Sequence, residues 1–163
     1  MSNINCVAQN EDGFLFFTYN ALTRSSTAEA AGVPNTPGAV EKYNLKELII
    51  NLLDPIRCIY GTQIIVSSGY RNIYVNKLVG GSPTSNHVFG YAADLQSDGE
   101  RGANRIYNIA LDFKYDECYL ESKDVKDKNG RIIDTSWWVH VAYKKEGNKM
   151  RSGRIHNGKF IQS

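Results

Sequence analysis

The stretch Ser85-Asn-His-Val-Phe-Gly-Tyr-Ala-Ala-Asp94 sets a histidine and an aspartate seven positions apart, with Gly90 between them and two alanines before the carboxylate. Imidazole and carboxylate are both good zinc ligands, and a zinc site needs three or four such groups converging from different elements. Gly90 lets the chain turn or approach another backbone, so His87 belongs to a loop and Asp94 to the strand that follows. An isolated pair of this kind equally describes a surface loop entering a strand. What surrounds it decides.

The elements around the pair follow from periodicity. Phe14 to Tyr19 is an aromatic run, a first strand or an N-terminal cover. Ser26-Thr-Ala-Glu29 has the spacing of a capping box, and Gly32 followed by Pro34 supplies a stop, which predicts a short helix over Thr27 to Ala31. Leu45, Leu48, Ile49, Leu52, Leu53, Ile56 and Ile59 recur at helical spacing up to Gly61, with Pro55 expected to kink that helix or divide it. The β-branched Gln63 to Ser67 reads as a buried strand. Ser68 to Asn72 is a strand end turning into a short helix, Ile73 to Val79, and Gly80 to Pro83 is a loop. Tyr91 to Gln96 is a strand that carries Asp94, and Glu100 to Leu111 is a covering helix. Asp116 to Glu121 alternates as a strand, Asn129-Gly130 turns a charged excursion, and Trp137 to Tyr143 returns as a strand holding His140.

Three ligand candidates therefore come from three places: His87, Asp94 and His140. Antiparallel pairing of the last two strands carries Glu121 toward the same face. Two histidines and one carboxylate leave one tetrahedral position open for water, the coordination of a catalytic zinc. A carboxylate nearby that is not a ligand completes such a site by moving the proton from water to a leaving amine.

Composition bounds the setting. A chain of 163 residues with 42% hydrophobic and 22% charged residues suits one globular domain, and a net charge of +2 does not point to nucleic acid as the main partner. No apolar run is long enough to span a membrane, and Met1 to Cys6 lacks the basic and apolar regions of a secretory signal, so synthesis in the cytoplasm is expected. Cys6, Cys58 and Cys118 form an odd set without a Cys-x-x-Cys pair, which reads as three buried reduced thiols and argues against a disulfide framework or a thiolate zinc site.

Ser85-x-His87-x-x-Gly90-x-Ala92-x-Asp94, followed by Trp138-Val-His140-Val, resembles the zinc D-Ala-D-Ala carboxypeptidase family and its phage endolysin relatives, including L-Ala-D-Glu peptidases. These share a metal-site fold with lysostaphin-type peptidases and the Hedgehog signalling domain. Ser67-Ser-Gly-Tyr-Arg71, Asn76 and Gly80-Gly81 are similar to the segment before the histidine motif in that family, and the resemblance extends over roughly residues 14 to 143. It implies that His87, Asp94 and His140 bind one zinc ion. It also implies that Glu121 is the general base and that Arg71 binds a substrate carboxylate or carbonyl oxygen. Ser85 would hydrogen-bond substrate or orient the loop.

Two departures stand out. Other members place the acidic base three residues before the last histidine, where this chain has Trp137, and some carry another histidine where it has Trp138. These adjacent tryptophans should face opposite sides of the sheet, one in the core and one in the cleft. Two assignments have a plainer counterpart, Glu121 as a solvated strand end and the Arg71 turn as purely structural, and His156 in the tail is expected to be a surface residue.

The fold class expected is α+β, a small mainly antiparallel sheet flanked by helices, in a single domain with a core over residues 14 to 143 and a basic C-terminal tail over 144 to 163. That tail suits an anionic wall or nucleic acid, or is only a solubilising end, and the last is preferred. The function expected is zinc-dependent hydrolysis of a peptide bond in peptidoglycan stem peptides by a monomer. Small size, the missing signal and the phage-like branch lean toward an endolysin or prophage enzyme acting on the wall after release. The rival reading is a zinc-containing wall-binding module without turnover.

Overall fold

The computed structural model describes Cys6 and residues 11–162. The segment read for a secretory signal, Met1 to Cys6, lies almost wholly outside them. Three alternating strands build the centre: β2 (Ala92–Gln96), β3 (Glu117–Lys126) and β4 (Ile132–Ala142). Strand β4 pairs antiparallel with both others. The two-residue period sends Ala93, Leu95, Cys118, Leu120, Val139 and Val141 to one face, where all are buried. It sends Asp94, Glu117, Tyr119, Glu121, Trp138 and His140 to the other.

The apolar face is covered by α6 (Gly99–Ala110), through Ala103, Ile106 and Ala110. Next to it lies a helical run from α3 (Ala39–Leu48) through a π-helical turn (Ile49–Leu53) to α4 (Asp54–Tyr60). Leu45, Leu48, Ile49, Leu52, Leu53 and Ile56 are fully buried, each contributing roughly 1.5–3 kcal/mol by leaving water. Pro55 does divide this run. It falls in the first turn of α4, where its missing N–H costs least, and the Asp54 N–H reaches back five residues to the Ile49 carbonyl. After Ile56 the core position passes to Tyr60, and Ile59 is exposed.

Asp54 also decides the aromatic run. Its buried carboxylate accepts hydrogen bonds from the backbone of Leu15, Phe16 and Phe17 at 2.7, 3.0 and 3.1 Å, so these donors are spent on a side chain and not on a neighbouring strand. The run is a cover. It leads into α1 (Tyr19–Thr23) and α2 (Ser26–Ala31), the latter capped by Ser25 and ended by the left-handed Gly32.

Strand β1 (Ile65–Ser68) pairs with β2. It is not the buried strand expected, because it forms the sheet edge and leaves Ile65 54% exposed. The segment expected to be a basic tail holds two strands. β5 (Arg151–His156) runs parallel to β3, and β6 (Lys159–Phe160) pairs with β5, giving the order β1-β2-β4-β3-β5-β6. The result is a mixed, largely antiparallel sheet flanked by helices, in keeping with the α+β class. His156 is a sheet residue, its Nδ1 2.9 Å from Ser122 Oγ.

The cysteines depart from expectation. Cys6 and Cys58 form a disulfide across 52 positions, with Cα atoms 6.5 Å apart, and only Cys118 is free and buried. A pairing at such separation depends on where the N-terminal segment meets α4, which spacing along the chain does not encode.

Candidate metal centre

The loop bearing His87 is clamped before β2 begins. Helix α5 (Ile73–Leu78) starts at Asn72, whose side chain accepts from Val75 N at 2.8 Å, and just ahead of it Arg71 N donates to the His87 carbonyl. Downstream, Gly90 adopts a φ of +74°, and a side chain there would put its Cβ 2.6 Å from the Glu41 carbonyl oxygen. Glycine is required on both counts. Asn44 ties the same turn to α3 by donating to Phe89 O at 2.9 Å.

Register completes the convergence. Asp94 lies opposite His140 in the β2–β4 pair, with Oδ1 3.0 Å from His140 Nδ1 and 3.3 Å from His87 Nε2. One ligand atom from each of the three side chains lies within 4.8 Å of the others. Ligand atoms about 2.0–2.2 Å from a tetrahedral zinc stand roughly 3.3–3.5 Å apart, so the cluster needs little adjustment to close on an ion. The far ring nitrogens are already committed. His87 Nδ1 donates to the Gly69 carbonyl at 2.7 Å, and His140 Nε2 donates to Glu117 Oε2 at 3.1 Å. Each imidazole therefore turns its other nitrogen to Asp94, and the donor set fits zinc.

The charges are strongly coupled. Burial would raise the Asp94 carboxyl, but the two imidazoles hold it far below the carboxylate range. Burial would likewise lower His140, yet its hydrogen bonds to Asp94 and Glu117 raise it to about 10. Both ring nitrogens of His140 thus face carboxylates, an arrangement that favours the imidazolium when no metal is bound. The hydrogen bond from His140 is the main reason that Glu117 falls to about 2, against the opposing effect of burial.

The cluster opens into a cleft of about 690 Å³ that Arg71, Ser85, Glu121 and Trp138 also line. Glu121 lies opposite Trp138 in the β3–β4 pair. Burial raises its carboxyl above the ordinary range, with Asp94 and Glu117 adding to the effect and His140 opposing it, and it accepts no hydrogen bond from the described residues. Arg71 donates to Ser68 Oγ at 3.0 Å while its buried Nε has no partner. Ser85 Oγ accepts from His87 N at 3.3 Å, which braces the loop. Trp137 packs on the core, opposite in facing to Trp138, as the alternation requires.

Three residues of the site were missed in the sequence: Glu117, Asn86 and Arg151. Asn86 Nδ2 donates to Glu117 Oε2 at 2.9 Å and to Asp116 Oδ2 at 3.1 Å, and Arg151 Nη2 donates to Glu117 Oε1 at 2.7 Å. A signal for Glu117 was present, since it shares the odd-numbered face of β3 with Glu121.

A mixed sheet carrying a His–Asp–His cluster, with a separate carboxylate in the same cleft, defines a metallohydrolase type of site. Residues 16–142 match the family model described as Peptidase M15, and the chain belongs to that family. Among curated proteins none matches it. At the level of the family, most of the chain is a zinc metallopeptidase domain with peptidoglycan-like substrates.

Proposed function

We propose that this protein is a zinc-dependent peptidase that cuts one peptide bond of peptidoglycan stem peptides, with His87, Asp94 and His140 as the metal ligands. The observation that carries this reading is the separation of roles in one cleft. Three side chains converge on a common point, while Glu121 lines the same space with its carboxylate uncommitted to any hydrogen bond among the described residues.

His87, Asp94 and His140 would hold a zinc ion, which would supply Lewis acidity to activate water and polarise the scissile carbonyl. Glu121, as its carboxylate, takes the proton from the attacking water and passes it to the leaving amine nitrogen. Arg71 holds substrate through guanidinium donors that its single bond to Ser68 leaves uncommitted, a planar fork suited to a carboxylate or carbonyl oxygen. Ser85 keeps the His87 loop in shape, and Trp138 offers an apolar wall. The bond cut is the terminal D-Ala-D-Ala, by a carboxypeptidase, or an internal L-Ala-D-Glu, by an endopeptidase.

Mass spectrometry of purified peptidoglycan fragments incubated with the protein distinguishes these outcomes. Loss of a terminal D-Ala, or a split stem peptide, that stops with a chelator and returns with zinc is the expected result and names the bond. Intact fragments from walls of several chemistries, with zinc demonstrably bound, would favour a wall-binding module instead.

A further inference from the structure

His140 is the one ligand of the three on the strand that joins both halves of the sheet, and the acceptor of its outer nitrogen, Glu117 of β3, is itself held from the segment expected to be a tail. Glu117 stands on the same face of β3 as Tyr119, which pairs with His140 across the ladder. Its two oxygens have different partners: Oε2 receives His140 Nε2 at 3.1 Å and Asn86 Nδ2 at 2.9 Å, and Oε1 receives Arg151 Nη2 at 2.7 Å. Arg151 lies opposite Glu117 in the parallel β3–β5 pair, and Asn86 immediately precedes His87.

We propose that Glu117 is a positioning residue that locks the His140 ring with Nδ1 toward the metal, and that Arg151 of β5 and Asn86 of the histidine loop hold its carboxylate in that orientation. The inference rests on the zinc reading of the site. A carboxylate beyond a ligating histidine fixes its tautomer and orientation, and losing such a partner typically costs 10–100-fold in metal affinity. Glu117 is here fastened at both oxygens, so it has no freedom to follow a ring that turns away. The Arg151 contact couples the metal centre to β5, which gives that strand a part in metal retention beyond closing the sheet. A neighbouring buttress acts on the same ring. Tyr119 stacks on His140 with centroids 5.9 Å apart and 15° between planes, and Phe160 of β6 meets Tyr119 edge-on at 5.5 Å.

The test is zinc affinity of the full chain, measured by competition with a chromophoric chelator, for wild type, Glu117→Ala, Glu117→Gln and Arg151→Met. The melting temperature of each metal-free protein is measured beside it. The expected result is a dissociation constant raised 10–100-fold in Glu117→Ala. Glu117→Gln, which keeps an acceptor oxygen for His140, should be partly rescued, and Arg151→Met should lie between wild type and Glu117→Ala. A purely structural role would lower the metal-free melting temperature and leave the affinity of the folded protein unchanged, and that outcome overturns the proposal. Should Glu117→Ala not fold, the other two variants decide in the same way: weakened zinc binding supports the proposal and wild-type affinity overturns it. A wild type that binds no zinc would instead overturn the functional reading beneath it.

Discussion

His87 Nδ1 lies 2.7 Å from the carbonyl oxygen of Gly69, so the orientation of the first candidate metal ligand is set by a backbone atom. That atom is itself held by crowding. Tyr70 N donates to Leu22 O, and a Cβ added at Gly69 would meet the same Leu22 carbonyl, which is backbone and cannot swing aside. Gly69→Ala should therefore cost about 1–3 kcal/mol of stability, the usual range for overpacking. It should also weaken zinc binding of the folded fraction by displacing the His87 acceptor. Thermal melts with and without zinc measure both, and an unchanged zinc-induced rise in melting temperature would break the link between Gly69 and His87.

Glu121→Gln separates base chemistry from metal binding. Because the Glu121 carboxylate makes no hydrogen bond among the described residues and is not one of the clustered candidate ligands, its amide isostere should leave zinc affinity within about threefold of wild type, while kcat falls by about 10²–10⁴, the range for a lost general base. Single-turnover cleavage of a stem peptide together with zinc competition provides the two readings. A kcat close to wild type would reassign the base.

The same substitution has a signature in the metal-free protein. Burial raises the Glu121 carboxyl above its ordinary 4.5, so folding opposes its ionisation. A group with a raised folded pKa contributes stability at pH values below its unfolded pKa and loses that contribution as pH rises through the folded one. Glu121→Gln should then melt above wild type at pH 7, with the difference vanishing as pH falls below 4.5. Paired melts across that range check the sign.

Metal binding should release a proton. Without metal, His140 carries protons on both nitrogens and is raised to about 10 by Asp94 and Glu117 against the effect of burial; zinc needs the Nδ1 lone pair. About one proton per zinc is expected near pH 7, and apparent affinity should climb about tenfold per pH unit. Calorimetry in buffers of different ionisation enthalpy counts the protons. Zero release would mean that His140 is neutral before zinc arrives.

The parts of this site that are local in the chain were legible, and the parts that depend on distant pairing were not. His87, Gly90 and Asp94 lie within eight positions, and the alternation around His140 and Glu121 specifies their face of the sheet whatever the exact register. The helix from Leu45 to Gly61 and its division at Pro55 were equally readable, although the register of its last turn, with Tyr60 inside and Ile59 outside, was not. Strand β5 escaped because its burial does not alternate cleanly and its partner β3 lies 34 residues upstream in a parallel pair. With β5 unseen, Arg151 had no reason to be near Glu117, and the support of His140 was hidden with it.

The disulfide is the remaining long-range feature, and it yields a prediction separable from the others. Cys6 and Cys58 close a loop with a sequence separation of 52 and, unlike the candidate metal ligands, do not line the cleft. Chain entropy for a loop of that size corresponds to about 4 kcal/mol, with measured disulfides generally in the range of about 2–5 kcal/mol. Reduction, or Cys58→Ser, should therefore lower the melting temperature well beyond the change that a surface substitution brings. Below the transition, kcat and zinc affinity should remain as in wild type, because the Asp54 carboxylate still fastens the backbone of Leu15, Phe16 and Phe17 to α4 by its own hydrogen bonds. Melts and assays run in parallel with and without reductant measure the two effects. A fall in zinc affinity on reduction would show that the N-terminal cover reaches the metal centre, through the helices it packs on.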